Sequence, residues 1–129
     1  MMGYKIKVRL ADEEIDDLRI QLKDMLKLSK EEYKIKDRSH FQQACEKLYK
    51  VMIHTIEIKS GYNIKLHQDV SDPFFWRSAG FRMTSMSDAL ARMNLLHYYF
   101  YEGGVYPNEG LDITYTKLLK YIESIVNRL

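Results

Sequence analysis

The chain has 129 residues, a length that fits one domain with a hydrophobic core of its own. Its 46% hydrophobic and 29% charged residues exclude a disordered or fibrous protein, and its apolar runs are too short to cross a bilayer. The formal net charge of +2 is no signature of polyanion binding, so a nucleic-acid role would need a local patch. Because the single Cys45 can form no internal disulfide and the basic start lacks the apolar segment of a signal peptide, we expect a cytoplasmic protein.

Residues 4–10, within a possible N-terminal arm of residues 1–11, alternate between apolar and basic side chains. The apolar positions are Tyr4, Ile6, Val8 and Leu10. Such alternation predicts a short strand or N-terminal arm, for which the sequence offers no partner strand. After Asp12, apolar residues recur every three or four positions and predict a first helix through Ile15, Leu18, Leu22, Met25 and Leu26. The polar run "SKEEYKIKDRS" then breaks this pattern.

The second helix is the most clearly marked. Ser39 followed by Gln42 predicts a capping box, in which the hydroxyl and the amide each satisfy a free backbone N–H group. One apolar stripe follows and consists of Phe41, Ala44, Cys45, Leu48, Met52, Thr55 and Ile56. Ser60 and Gly61 are expected to end the helix.

Residues 61–83 form a long connection, which in a compact domain is usually functional or partly structured. Asp72 and Pro73 predict a short helical turn, because the N–H that proline lacks is not needed at the first helical position. The segment "DPFFWRSAGFR" mixes aromatic rings with arginines, so it could stack bases and hold phosphates. The alternative is that its rings cover the core.

Two further helices complete the predicted fold. The third begins near residues 84–87 and ends at Gly103 and Gly104. The fourth begins after Asp112, and its apolar stripe is Tyr115, Leu118, Leu119, Ile122, Ile125, Val126 and Leu129. We therefore predict a single all-α domain over residues 1–129, an up-down bundle of four to five helices.

Two segments of the chain resemble one family. "FQQACEKLYKVMIHTIEI" is similar to a helix of HEPN-superfamily proteins of the archaeal PaREP type, in which an alanine and "EKLYK" lie within a long apolar stripe. "LLHYYFYEG" resembles a later helix of the same proteins, where "LH", two residues and "FYE" recur. The order and separation of the segments also agree from about residue 11 onward. The resemblance implies a HEPN-like bundle that forms a homodimer.

The second segment also fits a motif of the wider superfamily. Arg92, four residues and His97 match the arginine–histidine spacing of HEPN ribonucleases, and Tyr99 matches the tyrosine of the toxin branch. In that branch a partner nucleotidyltransferase modifies the tyrosine, so the resemblance implies a toxin–antitoxin role. One position departs from the pattern. The ribonucleases usually place a polar residue directly after the arginine, whereas this chain has Met93 there and Asn94 next.

These side chains suit RNA cleavage without a metal ion, which needs a base for the 2′-hydroxyl, an acid for the leaving oxygen and a cation for the phosphate. His97 can exchange protons near neutral pH, and the planar guanidinium of Arg92 matches phosphate oxygens. At 3.6 residues per turn, however, the two side chains point roughly 140° apart around a helix. One protomer therefore makes a poor site, and a two-fold dimer that shares a groove would complete it.

The predicted function is that of a HEPN-type RNA-binding protein or metal-independent endoribonuclease, acting as a homodimer without a cofactor. Arg92 and His97 would carry catalysis. The residues that bind or orient the substrate would be Asn94, Tyr99, Tyr101 and Glu102. No metal site is predicted, because neither the histidines nor the single cysteine show the spacing of metal ligands.

Two alternatives stay open, and with them the question whether the chain is an enzyme. The first is a non-catalytic helical module for protein interaction or nucleotide binding, partnered with a nucleotidyltransferase, in which His97 is structural. The second is a small-molecule-binding bundle that uses the aromatic segment of residues 73–82 as a lid over an enclosed pocket.

Overall fold

The structure of the chain, a computed structural model, describes residues 7–129. The α-helices in this range are α1 (Asp12–Tyr33), α2 (Arg38–Ser60), α3 (Pro73–Ser78), α4 (Met83–Tyr98) and α5 (Glu109–Val126). A short 3₁₀ helix, His67–Ser71, precedes α3. The prediction of an all-α helical bundle is confirmed. Across residues 7–129, no helix combines the length and the apolar character that crossing a bilayer requires.

α2 is the central helix and packs against α1, α3, α4 and α5. Its predicted apolar stripe is confirmed, because all seven residues of that stripe, which begins at Phe41 and ends at Ile56, are buried. The predicted capping box is wrong. α2 begins at Arg38, and the carboxylate of Asp37 accepts a hydrogen bond from the backbone N–H of His40 at 2.7 Å. An acid at the N-cap satisfies a free donor as well as the predicted serine would, and it comes first.

Residues near the N-terminus form backbone hydrogen bonds with the residues that follow α2. Gly61 ends this helix as predicted, with a left-handed φ of 79°. The N–H of Leu10 donates to the carbonyl of Gly61, and the N–H of Asn63 donates to the carbonyl of Val8, each over 2.8 Å. The expectation that the arm lacks a partner is thus wrong, because residues 8–10 run antiparallel to residues 61–63. The rest of the predicted arm, residues 1–6, lies outside the described range.

Several helix ends differ from the predicted ones. α1 continues through Tyr33, into the polar run that was expected to break it. α4 ends at Tyr98, and irregular turns follow, with the N–H of Gly104 donating to the carbonyl of Tyr99. α5 begins at Glu109 rather than after Asp112, because the side chain of Asn108 accepts from the N–H of Leu111 and starts the helix earlier.

The aromatic segment of residues 73–82 contributes part of its side chains to the core. The short helix predicted at Asp72 and Pro73 is confirmed, since the Asp72 carboxylate accepts from the N–H of Phe74 at 2.9 Å. Phe75 and Trp76 are buried, and Nε1 of Trp76 donates to the carbonyl of Val70 at 2.6 Å. These two rings fill the space beneath the segment, as the core-cover interpretation predicts.

Candidate functional site

His97 lies in the last turn of α4 and faces α2. Its Nδ1 is 3.1 Å from Oε2 of Glu46, and its ring stacks on Tyr49 with centroids 4.3 Å apart and planes 11° apart. Glu46 and Tyr49 are neighbours one turn apart on α2, so they reach the imidazole from the same face. The His97 side chain is 11% exposed, so a small part of it reaches solvent.

A second histidine completes this cluster. His67 begins the 3₁₀ helix, and its ring centroid lies 5.1 Å from that of His97. Its Nδ1 is 3.3 Å from the hydroxyl of Tyr49. Burial, together with nearby Tyr98 and Glu46, raises the pKa of Tyr49 to about 12, so this hydroxyl keeps its proton near neutral pH. We call Glu46, Tyr49, His67 and His97 the imidazole cluster.

Both imidazoles are therefore held through Nδ1 by side chains of α2. The carboxylate of Glu46 only accepts hydrogen bonds, so Nδ1 of His97 carries a hydrogen. The protonated hydroxyl of Tyr49 can both donate and accept, so it suits His67 in either charge state. Within residues 7–129 neither Nε2 atom has a hydrogen-bond partner, which leaves both free for proton transfer.

Two tyrosines border the cluster on its solvent side. The rings of Tyr98 and Tyr101 meet the His97 ring edge-on, with centroids 4.5 and 5.8 Å away. Tyr98 is 45% exposed and Tyr101 is 67% exposed, so part of each side chain is open to solvent. Flat exposed rings beside an imidazole are suited to stacking on nucleobases. Tyr101, predicted to contact substrate, is thus placed beside His97.

Arg92 lies on a different face of α4. Its Nε and Nη2 are each 3.2 Å from carboxylate oxygens of Asp88, one turn earlier. It lines a groove toward α5, together with Lys117 and Lys120. His97 faces α2 instead, so one chain does not bring the two predicted catalytic residues together. This separation agrees with the helical geometry that predicted it.

Tyr99 is held in the loop before α5. Its hydroxyl donates to the carbonyl of Val105 at 2.9 Å, and accepts from the N–H of Val105 at 3.0 Å and from Nδ2 of Asn108 at 2.7 Å. These three bonds use the donor and both lone pairs of the phenol. The structure therefore places Tyr99 in the loop's hydrogen bonds. Of the other residues predicted to contact substrate, Asn94 and Glu102 are exposed.

The imidazole cluster contains three residues that the sequence did not single out. His67 lies in the long connection, and only the fold brings it beside His97. The sequence contained a weak indication that Glu46 and Tyr49 lie at the edge of the buried face of α2. Each directly follows a residue of the apolar stripe on this helix. From Lys7 onward, no group of three or more His, Cys, Asp or Glu side chains could hold a metal ion.

Comparison with known proteins does not identify a family for this chain. No protein-family model matches the chain, and neither the curated proteins nor the solved structures contain a significant match.

Proposed function

We propose that the chain is a HEPN-type helical domain that binds RNA and cleaves it without a metal ion, acting as a homodimer. The observation that supports this activity best is a pair of imidazoles with centroids 5.1 Å apart, each held through Nδ1. Among residues 7–129, nothing hydrogen-bonds to Nε2 of either ring. Metal-independent cleavage needs one proton acceptor and one proton donor at neighbouring positions, and histidine serves in both roles.

In the proposed reaction, Nε2 of neutral His97 takes the proton of the RNA 2′-hydroxyl. The 2′-oxygen then forms a bond to the adjacent phosphorus, and the bond from phosphorus to the 5′-oxygen breaks. Protonated His67 gives its Nε2 proton to that leaving oxygen. The products are a 2′,3′-cyclic phosphate and a 5′-hydroxyl, and the two histidines have exchanged charge states.

The roles follow from the partners of the two rings. A carboxylate beside one nitrogen of an imidazole stabilises the positive charge that the ring gains when it acts as a base. Glu46 gives His97 that environment, whereas the hydrogen-bond partner of His67 among the described residues is the neutral hydroxyl of Tyr49. His97 is thus the base and His67 the acid.

A homodimer would add the cation that the cluster lacks. Arg92 is held on another face of α4, so only a second copy could supply this guanidinium to the phosphate at His97. The exposed apolar side chains at the end of α4 and in the turns after it support such an association, and we call them the exposed strip: Leu95, Tyr98, Tyr101 and Val105. Exposed apolar side chains grouped in this way mark interaction surfaces.

The test is RNA cleavage in EDTA by the wild-type protein and by His97→Gln and His67→Gln. We expect each substitution to lower the cleavage rate by about 100-fold or more, because proton transfer contributes that much. The matched control is His54→Gln, since His54 also pairs with a glutamate, Glu57, at 2.8 Å but lies elsewhere on α2. An inactive wild-type protein, or folded cluster variants that cleave as fast as the control, would refute the activity.

A second candidate function is a non-catalytic interaction module, with a nucleotidyltransferase as the partner that the family resemblance implies. The same exposed strip favours it, because an interaction surface needs no proton transfer. In that case Leu95→Asp would abolish association with the partner, while His97→Gln would leave association unchanged. Size-exclusion chromatography of the mixed proteins separates the two candidates.

A further inference from the structure

Three lysines of α1 lie in a row with Lys34, the residue that directly follows this helix. Lys23, Lys27, Lys30 and Lys34 recur at intervals of three or four residues, so they share an arc of roughly 60° on the helix surface. From the first to the last they span about 16 Å along the helix axis. They form one wall of a groove of about 640 Å³ that runs between α1 and the C-terminal end of α5.

Four lysines and two glutamates, Glu31 and Glu123, line the groove, so the lysines exceed the carboxylates by two. Lys30 pairs with Glu123 of α5, Nζ to Oε2, at 2.8 Å. In the part of the chain that the structure describes, Lys23, Lys27 and Lys34 have no carboxylate within salt-bridge distance, and all three are exposed. Three ammonium groups without an ion-pair partner among residues 7–129 therefore line the groove, at intervals of one to two helical turns.

The floor of the groove argues against a protein helix as its occupant. Leu26 and Val126 line it but are only 9% and 7% exposed. A docked amphipathic helix needs apolar pockets for its anchor side chains, and this floor is almost closed. The groove instead has an excess of positive charge, and a row of cations complements a chain of anions.

We propose that this lysine row is a track for the phosphate backbone of single-stranded RNA. The choice of RNA rests on the proposed function, while the track itself takes no part in cleavage. Lysine contacts to phosphate fix the position of a strand without reading its sequence. Lys23, Lys27 and Lys34 would hold one stretch of the RNA, while another stretch lies at the imidazole cluster.

The experiment measures binding of a fluorescein-labelled 2′-O-methyl oligouridylate, which lacks the 2′-hydroxyl needed for cleavage. Fluorescence anisotropy gives the affinity of the intact protein between about 50 and 200 mM salt, the range over which counterion release weakens phosphate contacts. Three lysine–phosphate contacts contribute roughly −2 to the slope of log affinity against log salt. The variant Lys23→Gln/Lys27→Gln/Lys34→Gln should lose that part of the slope, and should bind about ten-fold or more weakly at the lowest salt.

A control variant removes the same charge elsewhere. Lys59→Gln/Lys65→Gln/Arg77→Gln replaces three exposed cations outside the groove, at the end of α2, in the following connection and in α3. It should keep most of the wild-type slope and affinity. Equal losses in the two triple variants would reduce the effect to net charge and overturn the track, as would an unchanged slope in the lysine-row variant.

Two further arms separate this proposal from the proposed function. A polyglutamate peptide that displaces the RNA at equal charge concentration would mark the groove as a site for acidic proteins and overturn the RNA track. His97→Gln should bind the oligonucleotide with an unchanged slope. If His97→Gln binds with an unchanged slope and the wild-type protein cleaves no RNA, the lysine row is supported as a binding site and the catalytic proposal fails. If the wild-type protein cleaves RNA and the lysine-row variant binds normally, only the track fails. Absence of RNA binding by the wild-type protein overturns both.

Discussion

The carboxylate of Glu46 holds the imidazole of His97 across the contact between α2 and α4, at 3.1 Å from Nδ1 and 51 residues away in the sequence. Because the stacked ring of Tyr49 restrains the imidazole from the side, the position of His97 depends on one turn of α2. The orientation of the proposed base is therefore set by a helix that does not carry it.

We expect Glu46→Ala to slow RNA cleavage more than Glu46→Gln does. The glutamine oxygen can still accept the hydrogen of Nδ1, whereas alanine leaves the imidazole free to turn. If cleavage depends on this orientation, the glutamine variant should retain roughly ten-fold more activity than the alanine variant, within the range that positioning contacts contribute. Cleavage rates measured in EDTA at saturating RNA give the ratio.

Equal rates in the two folded variants would mean that Glu46 does not position the base. Circular dichroism and size-exclusion chromatography establish that fold and oligomeric state are unchanged, so that a loss of rate in Glu46→Ala can be assigned to the imidazole.

Because tyrosines are buried in the core, we expect the free energy of unfolding to fall at high pH. Burial raises the pKa of Tyr49 from about 10 to about 12. A group whose pKa is higher in the folded state stabilises the fold fully below its unfolded pKa, and this contribution is lost as the pH rises toward the folded value. The free energy of unfolding should therefore fall between about pH 10 and pH 12, partly through Tyr49.

Urea unfolding of the wild-type protein and Tyr49→Phe at several pH values checks this expectation. Phenylalanine cannot ionise, so the variant should lose less stability than the wild type over the same alkaline interval. Parallel curves for the two proteins would show that Tyr49 does not contribute. Burial raises the pKa of Tyr115 as well, in the core beside Ser29, and its ionisation adds to the fall that remains in the variant.

Gly104 should not tolerate a side chain. A Cβ at this position would overlap the ring of Tyr99, whose hydroxyl holds the loop to Val105 and Asn108. We expect Gly104→Ala to lower the free energy of unfolding by about 1–3 kcal/mol, the usual cost of overfilling a packed site. Thermal unfolding of the two proteins measures the difference.

Gly110→Ala is the comparison for this substitution. The new Cβ would meet only Oδ1 of Asn108, at 3.4 Å, and the position lies in the first turn of α5. Alanine favours a helix more than glycine does, so this variant should be as stable as the wild type or slightly more so. A drop in both variants would point to a general sensitivity of this region instead of a clash with Tyr99.

The elements that the sequence predicted well are those whose signal is local. The stripe of α2 from Phe41 to Ile56 follows the helical period, and burial requires that period whatever the helix packs against. The separation of Arg92 and His97 was predictable for the same reason, since helical geometry fixes the direction of each side chain. Local signals failed where two of them competed. Asp37 and Ser39 are both good N-cap residues, and residue type alone does not rank them.

The imidazole cluster could not be predicted from patterns of neighbouring residues in the sequence. His67 follows a connection without helical periodicity, so no pattern in the sequence relates it to His97. Its place depends on how the 3₁₀ helix and α3 fold back on α2, which the buried rings of Phe75 and Trp76 decide. The sequence therefore predicted one histidine of the pair and missed the second.

The central position of α2 has a consequence for how the site moves. Because four other helices cover α2, its backbone hydrogen bonds belong to the part of the protein that opens only when the whole fold opens. Glu46 and Tyr49 inherit that protection, whereas the turns after Tyr98 can open locally. The imidazole cluster is thus anchored on a helix that stays formed for the lifetime of the native state, and the turns beside it can open without unfolding that helix.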